Sequence, residues 1–122
     1  MAAPTEQHIK IDSGKIGGGD VYELKIEGYL DFSSSEQVER AIEEIFGQGC
    51  YRVVVNLSKT KYISSAGFGC FISSIDTAMK NGGDMVFCGT PPDIKDIFDI
   101  LGLSKILKFA PTRDDAAKLL AR

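Results

Sequence analysis

Three cysteines, one histidine, 17 carboxylates and several runs of serine make up the reactive side chains of this chain. A nucleophilic triad needs a base beside its nucleophile. The one histidine, His8, falls near the amino end, on the polar side of an alternating segment, and is poorly placed for that role. Cys50, Cys70 and Cys88 are far apart, form no Cys-x-x-Cys pair, and cannot complete a zinc site with His8. They read as small buried hydrophobes of a reducing compartment. Gly67-Phe68-Gly69 lacks the third glycine of a dinucleotide fingerprint, and no Gly-Lys-Ser/Thr closes a phosphate loop. Gly17-Gly18-Gly19 precedes a strand rather than a helix, so it reads as a turn and not an anion cradle. Catalysis, a bound metal and a bound cofactor all lack support in the residues.

The segment that does carry chemistry is Leu57-Ser58-Lys59-Thr60-Lys61-Tyr62-Ile63-Ser64-Ser65-Ala66-Gly67-Phe68-Gly69. It follows an apolar strand and enters a helix. In open α/β sheets the carboxyl edge of the strands is where ligands and partners are met. Ser64 and Ser65 are placed to cap the helix. Ala66, Gly67 and Gly69 leave the backbone approachable, and Phe68 adds either an apolar contact or a core side chain.

The elements that must hold this segment follow from periodicity. Residues 8–12 and 21–27 alternate polar and apolar, with Tyr22, Leu24 and Ile26 on one face, and the glycine-rich stretch 13–19 lies between them. That pattern predicts an antiparallel hairpin. From Ser34 the period changes: Val38, Ala41, Ile42, Ile45 and Phe46 form a helical stripe over 34–46, capped by Ser33, Ser34 or Ser35 with Glu36 in the first turn. Val53-Val54-Val55 leaves no polar alternate, so 51–57 is expected as an interior strand covered on both faces. A second stripe, Phe68, Phe71, Ile72, Ile75, Ala78 and Met79, predicts a helix over 67–80, and Met85–Cys88 a further core strand. Thr90-Pro91-Pro92 reads as a helix start with threonine at the cap, ended by Gly102. A short strand over 105–109 and a last helix capped by Thr112 complete the order β-β-α-β-α-β-α-β-α. That order predicts one α/β domain over residues 1–122, with a mixed, mostly parallel sheet opened by an antiparallel hairpin and about four helices.

Bulk properties agree. A chain of 122 residues with 43% hydrophobic and 25% charged residues fits an ordinary globular domain. A net charge of -3 argues against broad binding to nucleic acid or anionic membranes. No apolar stretch approaches a membrane span, and the opening residues lack a secretory pattern, so a cytoplasmic location is expected.

Several of these segments, taken together, resemble the STAS family, and within it the stand-alone anti-sigma factor antagonists. The family's strand ending in Asn/Asp-Leu-Ser, its aromatic–apolar pair and its Asp-Ser-Ser/Ala-Gly-Leu-Gly motif are similar to Asn56-Leu57-Ser58, Tyr62-Ile63 and Ser64-Ser65-Ala66-Gly67-Phe68-Gly69. Gly28-Tyr29-Leu30-Asp31 matches a family Gly-x-Leu-Asp, and Pro92 through Phe98 to Gly102-Leu103 matches a later pattern. The departure that bears on the acceptor is Ser64, which stands where the family usually carries aspartate.

The resemblance implies a regulatory protein rather than an enzyme. Its partners would be an anti-sigma factor serine kinase of the histidine-kinase ATPase type and a metal-dependent serine phosphatase. The phosphoacceptor matches Ser65, with Ser64 as the alternative. The loops bearing Asp31, Ser33 and Ser34 and the segment Tyr62, Ile63, Ser64, Ala66, Gly67 and Phe68 are expected to form one partner-binding face. A different reading is a STAS-like module of a larger assembly, or one that senses a small ligand, with Ser65 only a helix cap.

Overall fold

The structure is a computed structural model that describes residues 9–16 and 20–121. Five strands lie in sequence order across one sheet. β1 (Ile9–Lys15) pairs antiparallel with β2 (Tyr22–Leu30). β2, β3 (Arg52–Ile63), β4 (Asp84–Cys88) and β5 (Lys108–Ala110) then run parallel. The expected hairpin, the parallel sheet and the interior place of the valine strand are all observed.

Alternation along β3 explains the layers. Val53, Val55 and Leu57 face the larger core, which they share with Leu24 and Ile26 of β2. Helices α1 (Phe32–Gly47), α2 (Ser65–Lys80) and α3 (Pro92–Ile100) cover that side through Val38, Ile42, Phe71, Ile75, Ile94 and Phe98. Val54 turns the other way, toward Val21, Val86, Cys88 and the stripe of α4 (Arg113–Leu120), Ala116 and Leu120. A strand buried on both faces needs apolar residues at successive positions, and the three valines supply them.

Several boundaries differ from the sequence-based expectation. β1 runs through Ser13 and Gly14 to Lys15, because backbone pairing with β2 carries polar residues into the ladder. His8 and Gly17–Gly19 lie outside the described residues. The cap of α1 is Asp31 rather than a serine: its carboxylate accepts from the Ser34 N–H at 3.0 Å. Glu36 therefore sits past the first turn and pairs with Arg40 at 3.7 Å. Pro91, not Thr90, occupies the cap position of α3, and Thr90 makes no capping bond. The stretch 105–109 is not one strand. A short 3-10 turn at Leu103–Lys105 precedes β5, with Gly102 in the left-handed region at φ 76. Thr112 caps α4 as expected, accepting from the Asp115 N–H at 3.1 Å.

β3 extends well beyond Leu57, although residues 58–62 are largely polar. β4 pairs with it only through Asn56, whereas β2 follows it to Ile63. The β2–β3 register shifts between Lys25 and Glu27, and the carbonyl of Ile26 accepts instead from the buried Thr60 hydroxyl at 2.7 Å. A bulge of this kind strands a backbone group, and the threonine satisfies it.

Candidate functional site

β2 and β3 end level with one another. Tyr29 is opposite Tyr62 and Leu30 opposite Ile63, and the two tyrosine rings lie 6.5 Å apart, each about half exposed. Because the strands are parallel and adjacent, both following loops leave at the same edge of the sheet. The N–H of Ser64 donates to the Leu30 carbonyl at 2.8 Å and ties the two exits together. α1 and α2 therefore start side by side.

Asp31, Ser33 and Ser34 form one capping network at the first exit. The Asp31 carboxylate accepts from the Ser34 N–H and from the Ser33 hydroxyl at 2.8 Å, while the Asp31 N–H donates to Ser34 Oγ at 2.9 Å. The Ser34 hydroxyl also reaches the Tyr29 carbonyl at 2.9 Å and is buried. This reciprocal arrangement satisfies the amide groups that open a helix. Phe32, between them, is 83% exposed, and neither its role nor that of Tyr29 was expected from sequence patterns.

The two serines at the second exit separate. Ser64 is the cap of α2, with Oγ accepting from the Gly67 N–H at 3.4 Å. Ser65 is the first helical residue and is exposed. An exposed hydroxyl at that position stands beside unpaired N–H groups and the positive end of the helix dipole, a setting that tolerates an anion.

Ile63, Gly67 and Phe68 sit lower than a contact role would place them. Ile63 and Gly67 are buried, so they shape the face from beneath. A Cβ on Gly67 would meet Leu30 Cγ at 2.8 Å and Ile63 Cγ2 at 2.9 Å. The glycine lets α2 close onto the strand ends; it does not open the backbone to a partner. Phe68 is 6% exposed, its ring edge-on to Phe98 with centroids 4.9 Å apart. Ala66 is half-buried, and Gly69 is open, with nothing near its missing side chain.

Phe68 also floors a groove of about 520 Å³ that sequence reasoning missed. Its other lining residues are Ser65, Gly69, Ile72, Leu101 and Leu103. The walls come from α2 and from the segment after α3, distant in sequence, so no local motif could announce it. Ser65 lies on its rim. Among the described residues no cluster of three or more His, Cys, Asp or Glu side chains is placed to hold a metal. Cys70 and Cys88 are not poised as nucleophiles: burial is the main cause that pushes their thiols up to about 11. No described helix is long and apolar enough to cross a membrane.

With this geometry in hand, the relatives of the chain are informative. An anti-sigma-B factor antagonist of Staphylococcus epidermidis is 30% identical over 88 residues, covering 72% of this chain and 82% of that protein. The crystal structure of an anti-sigma factor antagonist from Mycobacterium paratuberculosis superposes with a TM-score of 0.83 at 21% identity, covering 98% of both chains. The Bacillus cell fate determinant SpoIIAA in its phosphorylated form superposes with a TM-score of 0.68 at 18% identity, covering 91% of this chain and 97% of that one. The pattern of the STAS domain matches residues 16–116, more than four-fifths of the sequence, and the chain belongs to the STAS domain family.

Proposed function

We propose that this protein is an anti-sigma factor antagonist: a cytoplasmic, non-catalytic regulator that binds an anti-sigma serine kinase of the histidine-kinase ATPase type. Reversible phosphorylation of Ser65 switches that binding off, and a metal-dependent serine phosphatase restores it. The observation that carries the reading is the division of labour between adjacent serines. Ser64 is committed to capping α2, while Ser65 presents an exposed hydroxyl at the helix start, on the rim of an apolar groove.

The physics of the switch follows from that position. A phosphoryl group adds about -1.5 to -2 charges. On the isolated protein the helix N-terminus accommodates them, with roughly 0.3–1 kcal/mol of stabilisation at an exposed site. In a complex the same charges would be carried into a surface formed by Phe68, Ile72 and Leu101, where an unpaired anion is strongly disfavoured. Modification thus blocks docking and leaves the fold intact. Ser64 in place of the family's usual aspartate removes one negative charge beside the acceptor and provides the cap hydroxyl instead.

The test is binding of the cognate kinase, in its nucleotide-loaded form, to the unmodified and the phosphorylated chain. The unmodified form should bind, and the Ser65-phosphorylated form should bind roughly a hundredfold or more weakly, the scale of a desolvated unpaired charge. Equal binding by the two forms would sink the switch. It would leave Ser65 as the first residue of α2 with no switching role, beside the cap that Ser64 provides.

A further inference from the structure

Among the described residues no strand pairs with the outer edge of β1, which lies away from the candidate site. The N–H of Ile16 donates to the Val21 carbonyl at 2.9 Å, which extends the register that sets Lys15 opposite Tyr22 and Ile9 opposite Gly28. Bonded and non-bonded pairs alternate along an antiparallel ladder. Lys10, Asp12 and Gly14 therefore turn their backbone groups toward β2, and Ile9, Ile11, Ser13 and Lys15 turn theirs to the open edge. Side chains alternate the other way: Ile9 and Ile11 lie on the core face, Lys10 and Asp12 on the opposite one.

We propose that this edge pairs with the same edge of a second copy, antiparallel and centred on Ile11, to give a homodimer with a continuous ten-stranded sheet. The charges select the register. Centred on Ile11, the outward backbone groups of Ile11 meet the partner's Ile11, those of Ile9 meet the partner's Ser13, and Lys10 lies opposite the partner's Asp12, twice by symmetry. A centre on Lys10 sets two lysines face to face, and a centre on Asp12 sets two aspartates. A centre on Ser13 puts Ile11 opposite a lysine. Centres between residues would set outward backbone groups against inward ones and form no ladder.

The same register continues a pattern already inside each chain. Lys10 faces Glu27 and Asp12 faces Lys25 across the β1–β2 ladder. Pairing on Ile11 then makes rows that alternate in sign across four strands: Glu27, Lys10, the partner's Asp12 and the partner's Lys25. Opposite charges directly across strands stabilise pairing, and like charges oppose it. An edge lysine ordinarily deters pairing; here Lys10 meets a carboxylate. On the core face, the partner's Ile9 would sit over Ser13, at a groove of about 310 Å³ lined by Ile11, Ser13, Gln37, Arg40, Ala41 and Glu44. Ser65 follows β3, two strands in from this edge, so the dimer leaves the candidate phosphorylation site open.

Sedimentation equilibrium on the full chain tests the proposal through charge reversal. The wild type should dimerise within the micromolar to millimolar range. Lys10→Asp and Asp12→Lys should each weaken self-association by about tenfold or more, since two symmetric pairs turn repulsive. An equimolar mixture of the two variants should recover a dimer, because each copy then offers the charge the other lacks. The mixture carries the same within-chain changes as its components, so recovery isolates the contact between copies. Far-UV circular dichroism checks that both variants are folded. A wild type that stays monomeric throughout, a dimer indifferent to both reversals, or a mixture that fails to recover would each overturn it.

Discussion

The backbone N–H of Ser64 donates to the Leu30 carbonyl at 2.8 Å, so the cap of α2 is fastened directly to the end of β2. The hydrogen bond joins two segments more than thirty residues apart and brings the Asp31 network and Ser65 to one edge. A phosphate on Ser65, as proposed, would therefore enter a surface that both loops build. The exposed aromatics Tyr29, Phe32 and Tyr62 stand on the same edge.

Stability separates the two serines independently of any partner. Ser64→Ala removes the cap acceptor of the Gly67 N–H and should cost about 0.5–2 kcal/mol in urea unfolding. A cap role for Ser65 would give its alanine variant the same loss. With the cap on Ser64, Ser65→Ala should instead stay within roughly 0.5 kcal/mol of wild type. Equal losses in the two variants would place capping on both residues.

The glycines of the motif should respond in opposite directions. Gly67→Ala drives a methyl group into Leu30 and Ile63, and overpacking of this kind costs roughly 1–3 kcal/mol. Gly69→Ala meets open space inside α2, where replacing glycine should gain roughly 0.5–1 kcal/mol. Denaturant midpoints of the two variants check the contrast. A neutral Gly67→Ala would show that α2 can shift off the strand ends.

The raised thiols set a pH dependence. Burial keeps Cys70 and Cys88 protonated in the folded chain up to about 11, from an ordinary value of 9.0. Between those values the unfolded chain has released these protons and the folded chain still holds them. Unfolding then releases protons, so stability falls as pH rises through that window. Alkylation of the two cysteines in the native chain should be slow at neutral pH and accelerate toward pH 11, since the thiolate is the reactive form. Mass mapping of iodoacetamide adducts reads this, and fast modification of either residue at pH 7 would contradict it.

What the sequence disclosed and what it hid divide along physical lines. Val53–Val55 and the helical stripe Phe68, Phe71, Ile75 and Ala78 announced themselves because burial on a face imposes a period, whereas Ile72 and Met79, read into the same stripe, lie at its margins and are exposed. The polar end of β3 did not announce itself, because Ser58–Tyr62 is held by pairing with β2 and by the Thr60 hydroxyl rather than by apolar side chains. Asp31 displaced the serines as cap of α1 because a carboxylate can take both the Ser34 N–H and the Ser33 hydroxyl. The motif placed Ser64 and Ser65 at a helix start but left open which one caps. The groove beside Ser65 depends on Leu101 and Leu103, and no local pattern near the serines encodes them.

Phosphosite mapping after incubation with ATP and the cognate kinase tests the central claim most directly, on wild type, Ser64→Ala and Ser65→Ala chains. The account predicts a single phosphate on Ser65 in the wild type and in Ser64→Ala, and none in Ser65→Ala. Phosphate on Ser64, or an unmodified wild type beside a kinase shown to be active, would contradict it.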